Sequence, residues 1–199
     1  VEFFVDTKIP QFFSNKFLPK KGDYANGEFI IVYTEEGILD DMKLFYGIKN
    51  DMKMVDMNYC ESGKKQECSV SVDLRDFHGK DIEYYAEAYD KITKVKSPII
   101  SQVHVDVEAP VIEKLDFTVD EQGRVKFVID LDSAASVYYR DLTDKKPQWR
   151  KLCNDKQTMR IGNICIKTKS FRGGIEHIVI IRAEDAALNY DEETIRFFA

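Results

Sequence analysis

Histidine, tryptophan and proline are scarce in this 199-residue chain, with three His, one Trp and five Pro. The three histidines, His78, His104 and His177, share no spacing that would build a zinc site or a hydrolytic triad. Each reads as a surface or boundary residue. No nucleophile elbow, phosphate-binding glycine loop or metalloprotease helix occurs, so no catalytic residue is nominated. There is no Asn-x-Ser/Thr sequon, and conventional N-glycosylation is not expected. No apolar run approaches the ~20 residues of a membrane span. No basic stripe runs along any segment and the formal charge is −6, which argues against nucleic acid as a partner. No segment holds a helical period over three turns. A signal peptide is missing too, but residue 1 is Val rather than Met, so the chain reads as trimmed or processed.

What is present suits a globular chain of one large or two ordinary domains, with 44% hydrophobic residues to fill a core. The four cysteines fall as two local pairs, Cys60 with Cys68 and Cys153 with Cys165. An even count in close pairs reads as disulfides stapling neighbouring strands in an oxidising compartment. Four reduced cytosolic thiols are the competing reading. Neither pair has the C-x-x-C spacing of zinc or thioredoxin-like sites.

The chain is organised by a recurrence. Val103-His104-Val105-Asp106-Val107-Glu108-Ala109-Pro110 is nearly repeated by Phe3-Phe4-Val5-Asp6-Thr7-Lys8-Ile9-Pro10. Both read as a strand end, an Asp, a short polar step and a proline, which is the form of a joint between modules. Val103, Asp106, Glu108 and Pro110 are taken as that joint. Residues 1–8 read as the residual strand or linker of a preceding module, 9–106 as a first module and 107–199 as a second.

Short strands follow in the same order in both halves. Gly27–Thr34 matches Gly123–Ile129, and Leu44–Gly47 matches Val137–Arg140. Phe77-His78-Gly79-Lys80 matches Phe171-Arg172-Gly173-Gly174, and Glu83–Asp90 matches His177–Asp185. Within the first half, Cys60–Cys68 reads as a charged turn, Met52–Cys60 and Ser69–Leu74 as strands, and Val95–Val107 as one last strand. The fold class is all-β: two tandem immunoglobulin-like or fibronectin III-like β-sandwiches, each with one local disulfide hairpin.

The two prolines, the strand–Cys–turn–Cys–strand block, the Phe-x-Gly turn and the run Ala183-Glu184-Asp185-Ala186-Ala187-Leu188-Asn189 together resemble the tandem immunoglobulin-like modules of prokaryotic, especially archaeal, cell-surface proteins. In that family a module ends A-x-D-x-A-G-N and the next opens D-T-x-x-P. Asp6 to Pro10 fits the opening, and residues 183–189 fit the ending except that Leu188 stands where Gly is usual. The first module departs further, with Ala88 to Lys94. The resemblance implies a non-catalytic extracellular spacer, adhesion or assembly element. Its partners would be neighbouring modules of the same chain or other surface-protein subunits, with glycan a further candidate. An accessory region of a secreted protease or glycosidase is the alternative.

No cofactor is implied. Acidic residues gather near joints and loops, and calcium at a joint, held by Asp6, Asp106 and Glu108, competes with a plain solvated surface. Tyr84-Tyr85 and Tyr138-Tyr139 are adjacent on strands, so one of each pair must point outward. Such an outward row could bind carbohydrate or another module; a partly buried edge is the competing reading. Trp149 is placed beside the Cys153 disulfide.

Overall fold

A computed structural model describes residues 8–199. The chain divides into two compact units between Val107 and Glu108.

In the first unit, alternation of apolar and polar residues builds two facing sheets. One contains β1 (Gln11–Phe12), β3 (Glu28–Glu35) and β6 (Gly63–Ser71), in the order β1-β3-β6. The other runs β2-β9-β7-β4-β5, formed by β2 (Gly22–Tyr24), β4 (Asp41–Ile48), β5 (Asp51–Asp56), β7 (Lys80–Tyr89) and β9 (Ile100–Val105), with β8 (Lys94–Lys96) also paired to β7. All pairings are antiparallel except β2 on β9, which is parallel. The inward residues Phe29, Ile31 and Tyr33 meet Leu44 and Tyr46, Ile82, Tyr84 and Ala86, and Val103 and Val105. Phe29 and Tyr84 pack edge to face with ring centroids 4.9 Å apart. The buried Tyr84 hydroxyl donates to the Pro19 carbonyl at 2.7 Å, which satisfies its one polar atom.

The second unit is simpler. β10 (Ile112–Val119), β11 (Arg124–Leu131) and β14 (Ile164–Ser170) form one sheet in the order β10-β11-β14. β13 (Arg150–Cys153), β12 (Ser136–Asp141), β15 (Glu176–Glu184) and β16 (Tyr190–Phe198) form the other, in the order β13-β12-β15-β16. Val125, Phe127 and Ile129 face Val137, Tyr139, Val179, Ile181 and Phe197 across the core. This is the two-layer sandwich expected from the strand order.

Three local readings need correction. The Cys60–Cys68 segment is not a turn throughout, because β6 begins at Gly63 and pairs with β3 from Tyr33↔Gln66 to Glu28↔Ser71. Its charges hid the strand; they sit on the outer edge of a three-stranded sheet, where Lys64, Lys65 and Glu67 stay in water. Correspondingly, β5 stops at Asp56, well short of Cys60. The last strand is broken at Ser97-Pro98 into β8 and β9. Pro98 has no N–H to give, and the Ser97 hydroxyl accepts the Ala86 N–H at 2.9 Å in place of a backbone group.

One helix, α1 (Asp155–Arg160), lies between the second pair of cysteines. At six residues it is too short to show a period over three turns. Its start is nonetheless encoded: Asn154 Oδ1 accepts the Gln157 N–H at 2.8 Å, and Gln157 Oε1 accepts the Asn154 N–H at 3.0 Å.

Candidate interaction faces

Both expected disulfides form, Cys60–Cys68 and Cys153–Cys165, and no cysteine is free. They do not join paired neighbours, as the hairpin reading supposed. β13 pairs with β12, whereas β14 pairs with β11, so Cys153–Cys165 ties one sheet of the second unit to the other. Cys60 likewise follows β5 of one sheet, and Cys68 lies on β6 of the other. Strands adjacent in sequence are here opposite in space, because the chain changes sheets between them. The closed loops are short, separated by 8 and 12 residues, and loop entropy assigns them about 2.5–3 kcal/mol each.

The residues taken as the joint fall in different settings. Val103 is fully buried on β9 and belongs to the core of the first unit. The Asp106 N–H donates to the Tyr24 carbonyl at 3.1 Å. The Val107 N–H donates to His78 Nδ1 at 3.3 Å, so that nitrogen serves as an acceptor. Glu108 and Pro110 stand on the second unit's side, with Pro110 buried. Just beyond it, Asp132 and Asp191 accept the N–H groups of Val111 and Ile112 at 2.8 and 3.0 Å, fixing how β10 begins. Asp6 lies outside the described residues, and among the described residues no three His, Cys, Asp or Glu side chains gather as a metal-holding group.

Several acidic residues near the loops hold turns. Asp185 accepts the Asn189 N–H and side-chain amide at 2.9 Å each, closing the turn before β16. Leu188 in that turn has φ +70°, the left-handed region that glycine occupies without strain. The residue that departs from the resembled pattern is therefore the one whose backbone asks for glycine.

His177 overturns the expectation of surface histidines. It is 2% exposed, beneath Phe171 and Phe197, and Asp141 beside it is 3% exposed. Its Nδ1 lies 2.7 Å from Asp141 Oδ2, and its Nε2 lies 2.9 Å from the Arg172 carbonyl. Both ring nitrogens lie at hydrogen-bonding distance from oxygens, and the Thr143 hydroxyl is a further neighbour of Nδ1 at 3.0 Å. Burial works against ionising Asp141. The Thr143 hydroxyl and N–H, donating at 2.6 and 2.9 Å, and His177 outweigh it and hold the carboxyl below the ordinary range. A hydroxyl, an imidazole and a carboxylate do meet here, but the imidazole and carboxylate are buried, and the hydroxyl, on the exposed Thr143, donates to the carboxylate. This is a structural pair closing one end of the second core. The sequence signal was weak: Asp141 ends β12 and His177 opens β15, positions that become neighbours only through strand pairing.

The outward faces carry the chemistry available to a partner. Of the tyrosine pairs, Tyr84 and Tyr139 are buried, while Tyr85 and Tyr138 turn outward and are half-buried. On the first unit, Tyr85 stacks on Phe45 at 4.9 Å with 9° between planes, and Lys96 Nζ lies 3.5 Å from the Tyr85 ring centre. Lys43 and Lys94 flank Tyr89. Met54, opposite Phe45, is 51% exposed. On the second unit, Trp149 lies between the guanidinium groups of Arg140 and Arg182, 4.6 and 4.3 Å from their carbons, and Arg182 also covers Tyr190 at 4.1 Å. Trp149 is thus part of an outer ladder, whereas Cys153 points into the core at 5% exposure; the placement of Trp149 against the disulfide is corrected. Cation–aromatic alternation of this kind stiffens the sheet surface and leaves flat, partly apolar, cationic ground for contact.

No family model matches the chain, and no curated protein matches it by sequence. Solved structures do match. The FN1–FN3 domains of chicken CNTN1 align over 91% of this chain and 63% of theirs, with a TM-score of 0.53 and 10% identity. The fibronectin(III)-like modules of Clostridium thermocellum CbhA align over 96% of this chain and 94% of theirs, with a TM-score of 0.47 and 11% identity. The chicken interferon gamma receptor alpha chain aligns over 90% and 98%, with a TM-score of 0.32 and 9% identity. The chain spans less than two thirds of the first of these, and at such identity the likeness to it shows the fold alone: tandem fibronectin III or immunoglobulin-like sandwiches.

Proposed function

We propose that the chain is a non-catalytic pair of immunoglobulin-like modules working outside the cell, as a spacer, adhesion or assembly element of a larger surface protein. The observation that carries this is the pair of cross-sheet disulfides, one in each unit, with every cysteine consumed. Such bonds persist in oxidising surroundings and are rare in the cytosol. The fold agrees, since fibronectin III-like domains are typically non-catalytic, and the outward aromatic and cationic faces offer contact surface instead of a sealed reaction chamber. Partners are then neighbouring modules, other surface subunits or glycan. Labelling intact producing cells with a membrane-impermeant amine reagent tests the location. Modification of the chain before lysis is expected; modification only after lysis would overturn the reading.

A further inference from the structure

The open edge of β16 points to a specific partner. β16 is nine residues long and ends its sheet, and among the described residues no strand pairs with its outer side. In the first unit the last strand, β9, has the corresponding edge covered by β2, which pairs with it from Gly22↔Val103 to Tyr24↔Val105. The second unit has no such cover, and a long bare edge is a template for another strand.

Which groups the edge offers can be read from the pairing with β15. Ala199 N donates to the Ile175 carbonyl, and Asp185 N donates to the Asn189 carbonyl, so odd-numbered residues of β16 bond inward to β15. The even-numbered residues therefore aim N–H and C=O at the open side: Tyr190, Glu192, Thr194, Arg196 and Phe198. Only the Glu192 N–H is already engaged, by the Asp191 carboxylate at 2.8 Å. The side chains of the same five residues are exposed on the outer face.

We propose that β16 pairs antiparallel with β16 of a second copy of this chain, about a two-fold axis at Thr194. In that register Tyr190 meets Phe198, Glu192 meets Arg196, and Thr194 meets its own counterpart. These are aromatic, opposite-charge and hydroxyl pairs, each favourable across antiparallel strands. On the inner face, Asp191 stands opposite Phe197 and Glu193 opposite Ile195, so no like charges meet. Neighbouring registers fail this test. Axes at Glu192, Glu193 or Arg196 set a like charge on itself, and an axis at Ile195 leaves Glu192 and Arg196 unmatched. Arg196 has no ion pair among the described residues, whereas Glu192 already accepts from Arg182 at 2.7 Å and would lie between two guanidinium groups in the dimer. The result is one sheet continuous across two copies, with an isologous interface.

This deepens the assembly role proposed above and rests on that reading for its purpose. Sedimentation of the 199-residue chain, from about 1 μM to about 1 mM, the range suited to a strand-sized interface, should show a monomer–dimer equilibrium. Amide exchange at Thr194 and Arg196 should slow as concentration rises. Thr194→Pro removes an N–H that serves no intrachain bond and should weaken the dimer at least tenfold. Arg196→Glu and Glu192→Arg should each do the same alone, and mixing the two should restore a dimer, because each heterologous pair is then opposite in charge. A chain that stays monomeric throughout would overturn the proposal, as would a dimer that all three variants leave unchanged. A monomeric result removes this interface and leaves the module-pair reading standing; labelling only after lysis does the reverse.

Discussion

Replacing Asp141 with alanine strands His177. Both groups are almost wholly buried, so solvent does not screen the loss, and removing one member of a buried pair costs about 3–5 kcal/mol. The change should also free Thr143, whose hydroxyl and N–H both donate to that carboxylate. Asp141→Asn keeps the shape and part of the hydrogen bonding, and should cost less, about 1–2 kcal/mol. The double change Asp141→Ala with His177→Phe removes both polar partners and retains a ring against Phe171 and Phe197. Its cost should fall short of the sum of the singles by about 1–3 kcal/mol, the coupling between two contacting residues. The chain supplies its own probe: its one tryptophan, Trp149, lies in the second unit, so its fluorescence in a urea titration follows that unit alone. The pH dependence has a defined sign. Asp141 titrates lower in the folded state than its ordinary value of 3.8, so its contribution is complete above that value and fades as pH falls through the lower one. Wild type and Asp141→Asn should therefore differ at neutral pH and converge in acid. An Asp141→Ala protein within about 0.5 kcal/mol of wild type, or strict additivity in the double variant, would refute the buried pair.

Other outcomes follow from single sites. Leu188→Gly should stabilise the second unit by about 1 kcal/mol, since it relieves a left-handed backbone and surrenders a side chain that is 70% exposed; an unchanged urea midpoint by Trp149 fluorescence would count against it. Gly27→Ala should cost the first unit about 2 kcal/mol or more, because φ is +72° and the added methyl would strike the Val72 carbonyl. Circular dichroism should show that loss while Trp149 fluorescence stays at its wild-type midpoint. Replacing Cys153 and Cys165 with serine should lower the second unit by about 3 kcal/mol, and replacing Cys60 and Cys68 should lower the first by about 2.5 kcal/mol. Thermal melts of the two variants that lost the same transition would contradict one staple per unit.

Much of the architecture was legible because it rests on period two. Val125, Phe127 and Ile129 alternate with polar neighbours, and only one face of a sheet can bury them. The outward turn of Tyr85 and Tyr138 followed from the same rule. The site chemistry was less legible. β6 carries charge because it lies at a sheet edge, and edge position is a property of the whole sheet. The ladder of Arg140, Trp149, Arg182 and Tyr190 joins residues from three strands and a loop, which no local window contains.

The sequence alone determined an all-β fold, the matching order of strands in its two halves and the pairing of its cysteines. These depend on neighbours along the chain: alternation, short loops and local turn chemistry. Tertiary structure alone decided that the disulfides cross between sheets, that His177 is buried on Asp141, and that among the described residues β9 has a strand on its outer edge while β16 has none. Each of those turns on which distant strands become adjacent, and that is settled by how two sheets pack their apolar faces together, with side-chain pattern fixing the register only after the partner strand is in place.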